Sequence, residues 1–227
     1  MLHKKTLIKR IFISKDLTEL AHLPSFCAEH SLDLIAQSCI QFAALPFVVA
    51  LPYEVVFFGS VRAASFFLAH HELMDGVEVA CIGETTATKL RAMNLPVAFV
   101  GEKAGNPTEV ADAFKTWLGT RRVLFPLSSV SKESIVQVIP AAQAEKVVVY
   151  ETRPKEQQFN DLDLAVFTSP SNLESFLDAK NTVPALTIAW GQTTYQAMLE
   201  RNITASFTLT TSTEVELISV LNNLITQ

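Results

Sequence analysis

Glycine is scarce in this chain, with 7 in 227 residues, and cysteine is scarcer, with 3. So few glycines leave little room for a phosphate-cradling loop. There is no G-x-G-x-x-G, and Gly101-Glu102-Lys103-Ala104-Gly105 lacks the G-K-[ST] ending of a P-loop. Neither G-x-S-x-G nor H-E-x-x-H occurs. Cys27, Cys39 and Cys81 are odd in number and form no C-x-x-C pair, which argues against a disulfide framework or a zinc site and fits a reducing cytoplasm. They read as small apolar fillers. Adjacent His70 and His71 point different ways on a helix, cannot share a metal, and read as solvated helix-end residues. Charged residues make up only 18% and the formal net charge is −5, which argues against a nucleic-acid partner. An anionic ligand remains open, because amides at helix starts hold carboxylates without net basic charge. The acids are dispersed, with no pair spaced for acid–base work. The most apolar stretch, Phe42–Phe58, is short and is interrupted by Pro46, Pro52 and Glu54, so no membrane span is expected. No long apolar run follows Lys4, Lys5, Lys9 and Arg10, so no signal peptide is expected.

What is present is a strongly apolar chain, 49% hydrophobic, able to bury a core and long enough for one large domain or two small ones. Strand-like runs alternate with helical patterns. Arg10–Ser14 reads as a strand, followed by a helix from Leu17 to His30 with Asp16 as cap and Glu19 closing the box. Leu34–Ala36 and Ile40–Phe42 are extended, and a proline-broken helix is possible over Leu45–Leu51. Val55–Phe58, Val77–Ile82, Val97–Val100 and Arg122–Phe125 read as strands, the last ending before Pro126. The helices between and after them are Val61–His70, Ala87–Met93, Asn106-capped Pro107–Leu118, and Ser131–Val138. Val147–Pro154 reads as a short buried strand that ends in Tyr150, before Pro154, which cannot donate to a ladder. Apolar runs that are continuous rather than alternating indicate an α/β fold whose parallel sheets are covered on both faces.

The chain also repeats itself. V-V-F-F-G-S-V-R-A-A-S-F-F-L from Val55 answers to L-A-V-F-T-S-P-S-N-L-E-S-F-L from Leu164, with Ser60 matching Ser169. I-G-E-T-T-A at Ile82–Ala87 answers to W-G-Q-T-T-Y at Trp190–Tyr195. Arg91–Asn94 answers to Leu199–Asn202, and Thr108–Val110 to Thr213–Val215, at a nearly constant offset. One unit copied once implies two similar α/β domains with parallel sheets flanked by helices. The second copy lacks the later strands of the first, so the N-terminal strand and helix are assigned to the C-terminal half. The expected domains are then 1–37 with 151–227, and 38–150, joined by a two-stranded linker near 35–42 and 147–154. Tyr150 would stand at the mouth of any cleft the domains form.

Ligands of open α/β sheets bind outside the carboxyl ends of the strands. The candidate turns are therefore Gly59-Ser60, Gly83–Thr86, Thr168–Ser171 and Gly191–Thr194, each with free N–H donors, a hydroxyl and the positive end of a helix. The plainer alternative is that Ser169, Thr85 and Thr193 cap their own helices.

Taken together, the paired serine turns, the two G-x-T-T turns, L-F-P from Leu124 with Glu133 beyond it, and V-V-V-Y-E-T at Val147–Thr152 resemble uroporphyrinogen-III synthases over nearly the whole chain. The resemblance implies a two-domain enzyme that needs no metal or cofactor. It would cyclise hydroxymethylbilane with loss of water and inversion of the last pyrrole ring, on the way to haem. It further implies a cytoplasmic monomer, with transient contact to the preceding pathway enzyme as a further expectation. Tyr150 matches the linker tyrosine and is the expected proton donor to the leaving hydroxide, since a phenol keeps its proton at pH 7. Packing at a strand end is the alternative role. Ser60, Val61, Arg62, Thr85, Thr86, Ser128, Lys132, Ser169, Pro170, Ser171, Thr193 and Thr194 are the expected substrate contacts. The chain departs from the family pattern at Trp190 and Tyr195, expected to narrow the site, and at Ser128-Ser129, where many relatives have Gly-Asp. A non-catalytic hinged receptor for a small anion is the alternative function. A nucleotide-sugar transferase is weakened by the scarcity of glycine at the turns.

Overall fold

The structure, a computed structural model, describes residues 8–102, 107–131 and 133–226, except the side chain of Pro107. Asn106 and Lys132 therefore lie outside the described residues. In chain order the elements are β1 (Arg10–Ile13), α1 (Leu23–Glu29), β2 (Asp33–Ala36), β3 (Ile40–Ala44), β4 (Val55–Phe58), α2 (Val61–Leu68), β5 (Glu78–Cys81), α3 (Glu84–Ala92), β6 (Val97–Val100), α4 (Pro107–Leu118), β7 (Val123–Ser128), β8 (Ala144–Pro154), β9 (Leu164–Phe167), α5 (Pro170–Asp178), β10 (Leu186–Ala189), α6 (Gln192–Glu200), β11 (Phe207–Thr208) and α7 (Glu214–Thr226). They fall into two compact units. The split unit runs to Gln41 and resumes at Arg153, and the inserted unit is Phe42–Thr152.

The split unit holds a five-stranded sheet in the order β11-β10-β9-β1-β2, with parallel pairing throughout. Side chains alternate across β1 as the pleat requires. Ile11 and Ile13 join Leu217 and Leu221 of α7 on one face. Phe12 joins Phe159, Phe167 and Phe176 on the other. The inserted unit holds a six-stranded sheet, β3-β8-β7-β4-β5-β6, and β4, β5, β6, β7 and β8 pair in parallel. Phe58 and Phe67 lie in the cluster on one face, while Phe57, Phe114 and Phe125 lie in that on the other. β4 and β9 are buried at every position, as continuous apolar runs require when helices cover both faces.

The repeat is geometric as well as textual. Ser60 and Ser169 cap α2 and α5 with nearly the same backbone, φ −157°, ψ 155° and φ −159°, ψ 158°. Gly83 and Gly191 precede α3 and α6 in matching extended conformations. Asn94 and Asn202 both turn left-handed after their helices, at φ 61° and 58°, a conformation asparagine tolerates better than most residues. The sheets match too: β1 flanks β9 on the side away from β10, as β7 flanks β4 on the side away from β5.

Several expected elements differ. The helix from Leu17 to His30 is a 3-10 turn, Leu17–Glu19, then a separate α1. Pro24 sits in the first turn of α1 and starts a helix there rather than continuing one. Asp16 caps nothing: its carboxylate accepts from the Ser38 amide at 2.9 Å. The Glu214 carboxylate instead receives the amides of Ala21 and His22 ahead of α1. Leu45–Leu51 is not helical, and the Ala50 and Leu51 amides donate to Glu145. Over Ser131–Val138 only Val136–Val138 forms a 3-10 turn, since Glu133 at φ 54° breaks the helix. β7 runs through Pro126 to Ser128. Its register with β4 covers only Val123 and Leu124, so Pro126 lies past that pairing and just before an irregularity at Leu127/Ser128. β8 is 11 residues long and continues past Tyr150 to Pro154, so Tyr150 is an interior strand residue. His71 is half-buried rather than solvated, with Nε2 3.1 Å from the Tyr53 hydroxyl and its ring against Phe67.

Candidate functional site

In the inserted unit a hollow of about 190 Å³ opens where β4 and β7 end. Gly59, Ser60, Ala63, Pro126, Leu127, Ser128, Ser131 and Tyr150 line it, so three of the sequence candidates, Ser60, Ser128 and Tyr150, come together there. Their meeting follows from the register. Ser128 ends β7 opposite Tyr150 of β8, and Ser60 follows β4, the strand on the other side of β7. The Ser60 Oγ accepts from the Ala63 amide at 3.1 Å, so this serine does cap its helix.

Tyr150 is held by its ring. Phe66 stacks on it at 5.0 Å between centroids and Phe42 meets it edge-on at 5.9 Å. The residue is 7% exposed. Among the described residues its hydroxyl has no hydrogen-bond partner, and no buried side-chain oxygen is sealed without one, so this hydroxyl reaches solvent, and Tyr150 lines the hollow. Arg62, exposed at the start of α2, lays its guanidinium 3.5 Å from the Phe42 ring centroid. The result is a row of Arg62, Phe42, Tyr150 and Phe66. Val61, the first residue of α2, is half-buried.

Thr85 and Thr86 do not cap α3. The helix begins at Glu84, earlier than the expected Ala87, so both threonines are in its first turn behind Gly83, which has no side chain to cap with. Thr193 and Thr194 hold the same places in α6 behind Gly191. The two helix starts differ in charge. α3 opens on Glu84, which is paired with Arg91 at 2.7 Å, whereas α6 opens on neutral Gln192. The start of α6 is therefore the more hospitable of the two to an anion.

In the split unit Ser169 caps α5 and receives both the amide and the side-chain amide of Asn172, at 3.3 and 3.0 Å. Asn172 in turn accepts from the Cys39 amide at 2.7 Å and the Ser38 hydroxyl at 3.2 Å. The Thr168 amide donates to Ser14 Oγ at 2.8 Å, and the Thr168 hydroxyl to the Ser14 carbonyl at 2.7 Å, fastening the end of β1 to this turn. Pro170 and Ser171 open the helix, with Ser171 exposed. Tyr195 packs on the cluster around Phe12 and Phe176, and Trp190 packs against the cluster around Ile13. A larger hollow of about 370 Å³ is lined by Gln158–Leu162 and by Lys180, Asn181, Thr182 and Pro184, which precede β9 and β10, at the sheet end opposite the candidate turns.

Burial pushes the Cys27 thiol up to about 11 and that of Cys39 to about 12, and raises Cys81, so all three stay protonated and serve as fillers. Among the described residues no three His, Cys, Asp or Glu side chains could share a metal ion. No described helix is long and apolar enough to cross a membrane.

A family model described as uroporphyrinogen-III synthase HemD matches residues 26–219. The chain belongs to the uroporphyrinogen-III synthase family. It is a hydro-lyase that cyclises hydroxymethylbilane to uroporphyrinogen III, with loss of water and inversion of ring D, and acts without a cofactor. The fold agrees with solved structures of uroporphyrinogen-III synthases. The uroporphyrinogen-III synthetase of Helicobacter pylori 26695 superposes with a TM-score of 0.69 at 18% identity, over 95% of this chain and 100% of that one. A mutant uroporphyrinogen III synthase of the extremely thermophilic bacterium Thermus thermophilus gives 0.59 at 10% identity, over 96% and 99%. These likenesses carry the fold, not residue roles. A search of curated protein sequences finds no match. Nothing in the comparisons favours a non-catalytic receptor.

Phe42 and Phe66, which clamp the tyrosine, are absent from the sequence expectations. Phe66 follows Ser60 by six residues on α2, and helical spacing puts it on a packed face without saying which ring it meets.

Proposed function

We propose that the hollow lined by Ser60, Ser128 and Tyr150 is where this uroporphyrinogen-III synthase handles the hydroxymethyl end of its substrate, and that Tyr150 is the acid. The observation that carries this is the phenol: its ring is fixed by Phe42 and Phe66 while its hydroxyl is left unpaired among the described residues, on a residue that lines the hollow. A proton passed from that hydroxyl lets the leaving hydroxide depart as water and leaves an electron-poor azafulvene. The substituted carbon of the terminal ring then attacks to give a spiro intermediate. The old bond from that carbon to its neighbouring methylene breaks, and the freed methylene bonds to the other α carbon of the same ring. The proton lost from that carbon restores the aromatic ring and returns to the phenolate. Holding the bilane bent with its ends together accounts for the rest of the acceleration.

The bilane bears many carboxylates, and the remaining contacts suit them. Val61 and Arg62 at the start of α2 offer an amide and a guanidinium, and Thr85 and Thr86 offer hydroxyls behind the less favourable Glu84. Ser169, Pro170, Ser171, Thr193 and Thr194 form two uncharged helix starts. Pro170 has no N–H and the Asn172 amide is taken by Ser169, so the Ser171 amide of α5 and the first-turn amides of α6 are the donors left for an anion. Lys132 is kept as a proposed contact from the family resemblance alone. The three buried, protonated thiols support a cytoplasmic setting.

Ser128 tests the reading at little structural risk, because its Oγ has no partner among the described residues. Ser128→Ala should raise KM for hydroxymethylbilane about tenfold, the weight of one hydrogen bond to a charged group at the low end. An unchanged KM and kcat would remove Ser128, and with it this edge of the hollow, from the binding site.

A further inference from the structure

The turns of the split unit that are proposed to hold substrate carboxylates carry no charge of their own, and a lysine stands at the same end of the sheet, on the ring of Trp190. Lys15 follows β1, and its Nζ lies 5.1 Å from the ring centroid of Trp190, the residue between β10 and the cap of α6. β9 lies between β1 and β10, so Lys15 and Trp190 meet at the carboxyl end of the strands, where β9 leads into the Thr168–Ser171 turn. The hydrogen bonds between Ser14 and Thr168 fix the root of the Lys15 side chain to the start of the Thr168–Ser171 turn.

Three further observations bear on what this cation does. No described carboxylate pairs with Lys15, and its neighbour Asp16 is engaged with the Ser38 amide. By the register of the two sheets, Ile11 beside Leu164 answers to Val123 beside Val55, so Ser14-Lys15 occupies the place of Pro126-Leu127, both of which line the hollow of the inserted unit. Each unit also rests one cation on an aromatic face at this end, Arg62 on Phe42 and Lys15 on Trp190. An aromatic face orients an ammonium without neutralising it, and its N–H donors stay available. An arriving carboxylate therefore has no ion pair to break.

We propose that Lys15, presented by Trp190, binds a carboxylate of the bilane in the split unit. This rests on the reading that the turns of that unit hold substrate acids, and the test separates the two. In steady-state turnover of hydroxymethylbilane, Lys15→Gln should raise KM about tenfold with kcat unchanged, as loss of a charge-assisted hydrogen bond predicts. It should also flatten the rise of KM with added salt. Lys15→Arg should restore most of the affinity. Lys9→Gln, which removes an exposed charge ahead of the opposite end of β1, should leave KM unchanged. If Lys15→Gln leaves KM unchanged while Thr193→Val raises it, the lysine proposal fails and the turn reading survives. If both leave it unchanged, both fail. An equal rise in Lys9→Gln and Lys15→Gln would assign the effect to overall charge and overturn the proposal, as would a fall in kcat at constant KM.

Discussion

Tyr150→Phe is expected to lower kcat by about 10- to 100-fold, the low end of what a positioned general acid supplies, with KM near the wild-type value. The substitution is unusually clean here. Phenylalanine keeps the stack on Phe66 and the edge contact with Phe42, so the ring and the 11-residue strand that carries it need not move. Because the hydroxyl has no partner among the described residues, its loss strands no buried donor or acceptor, and stability should be close to wild type. A fall in kcat at an unchanged melting temperature therefore isolates the proton donor. As the enzyme slows, more of the substrate should close spontaneously, so the variant's product should contain more of the type I isomer. Turnover equal to wild type would make Tyr150 a packing residue and leave the leaving hydroxide without the proposed acid.

The largest expected effect on stability is at Phe176. It is fully buried in α5 and touches three other rings, Phe12 at 5.3 Å, Phe159 at 6.0 Å and Phe167 at 5.1 Å. Phe176→Ala should cost about 3–5 kcal/mol, the transfer of a large ring plus the cavity it leaves. That is a large part of the margin by which proteins of this kind stay folded. Denaturant unfolding reads it directly, and a loss below about 1 kcal/mol would mean that the cluster collapses into the gap. The consequence reaches the site, because α5 begins at the Ser169–Ser171 turn. Loosening its packed end should weaken substrate binding before the unit unfolds, an effect absent from Tyr150→Phe.

The division between what was legible in sequence and what was not follows the physics of each residue. Buried parallel strands announce themselves, since V-V-F-F and L-A-V-F have no polar alternation to give a solvated face. The serine caps were legible because Ser60 and Ser169 stand immediately before helical patterns, and the duplicated G-x-T-T showed that the turns recur. The misreadings came from long-range competition. Asp16 could cap a helix only if nothing else claimed its carboxylate, and the Ser38 amide, distant in sequence, did. Pro24 is a local signal for a helix start that the longer apolar pattern from Leu17 to His30 masks. Proline by itself signals the end of a strand, whereas Pro126 sits past the end of the β4 pairing and Pro154 is the last residue of its strand. The meeting of Ser60, Ser128 and Tyr150 depends on strand order, which local pattern does not carry. Lys15 was accessible by one further step. Once the first strand is assigned to the C-terminal half, whatever follows it stands at that half's ligand-facing end.

The most direct test of the account is the isomer formed when the purified protein meets freshly generated hydroxymethylbilane. The account predicts uroporphyrinogen III, made faster than the substrate closes by itself in buffer. Type I product alone, appearing at the buffer rate, would contradict it.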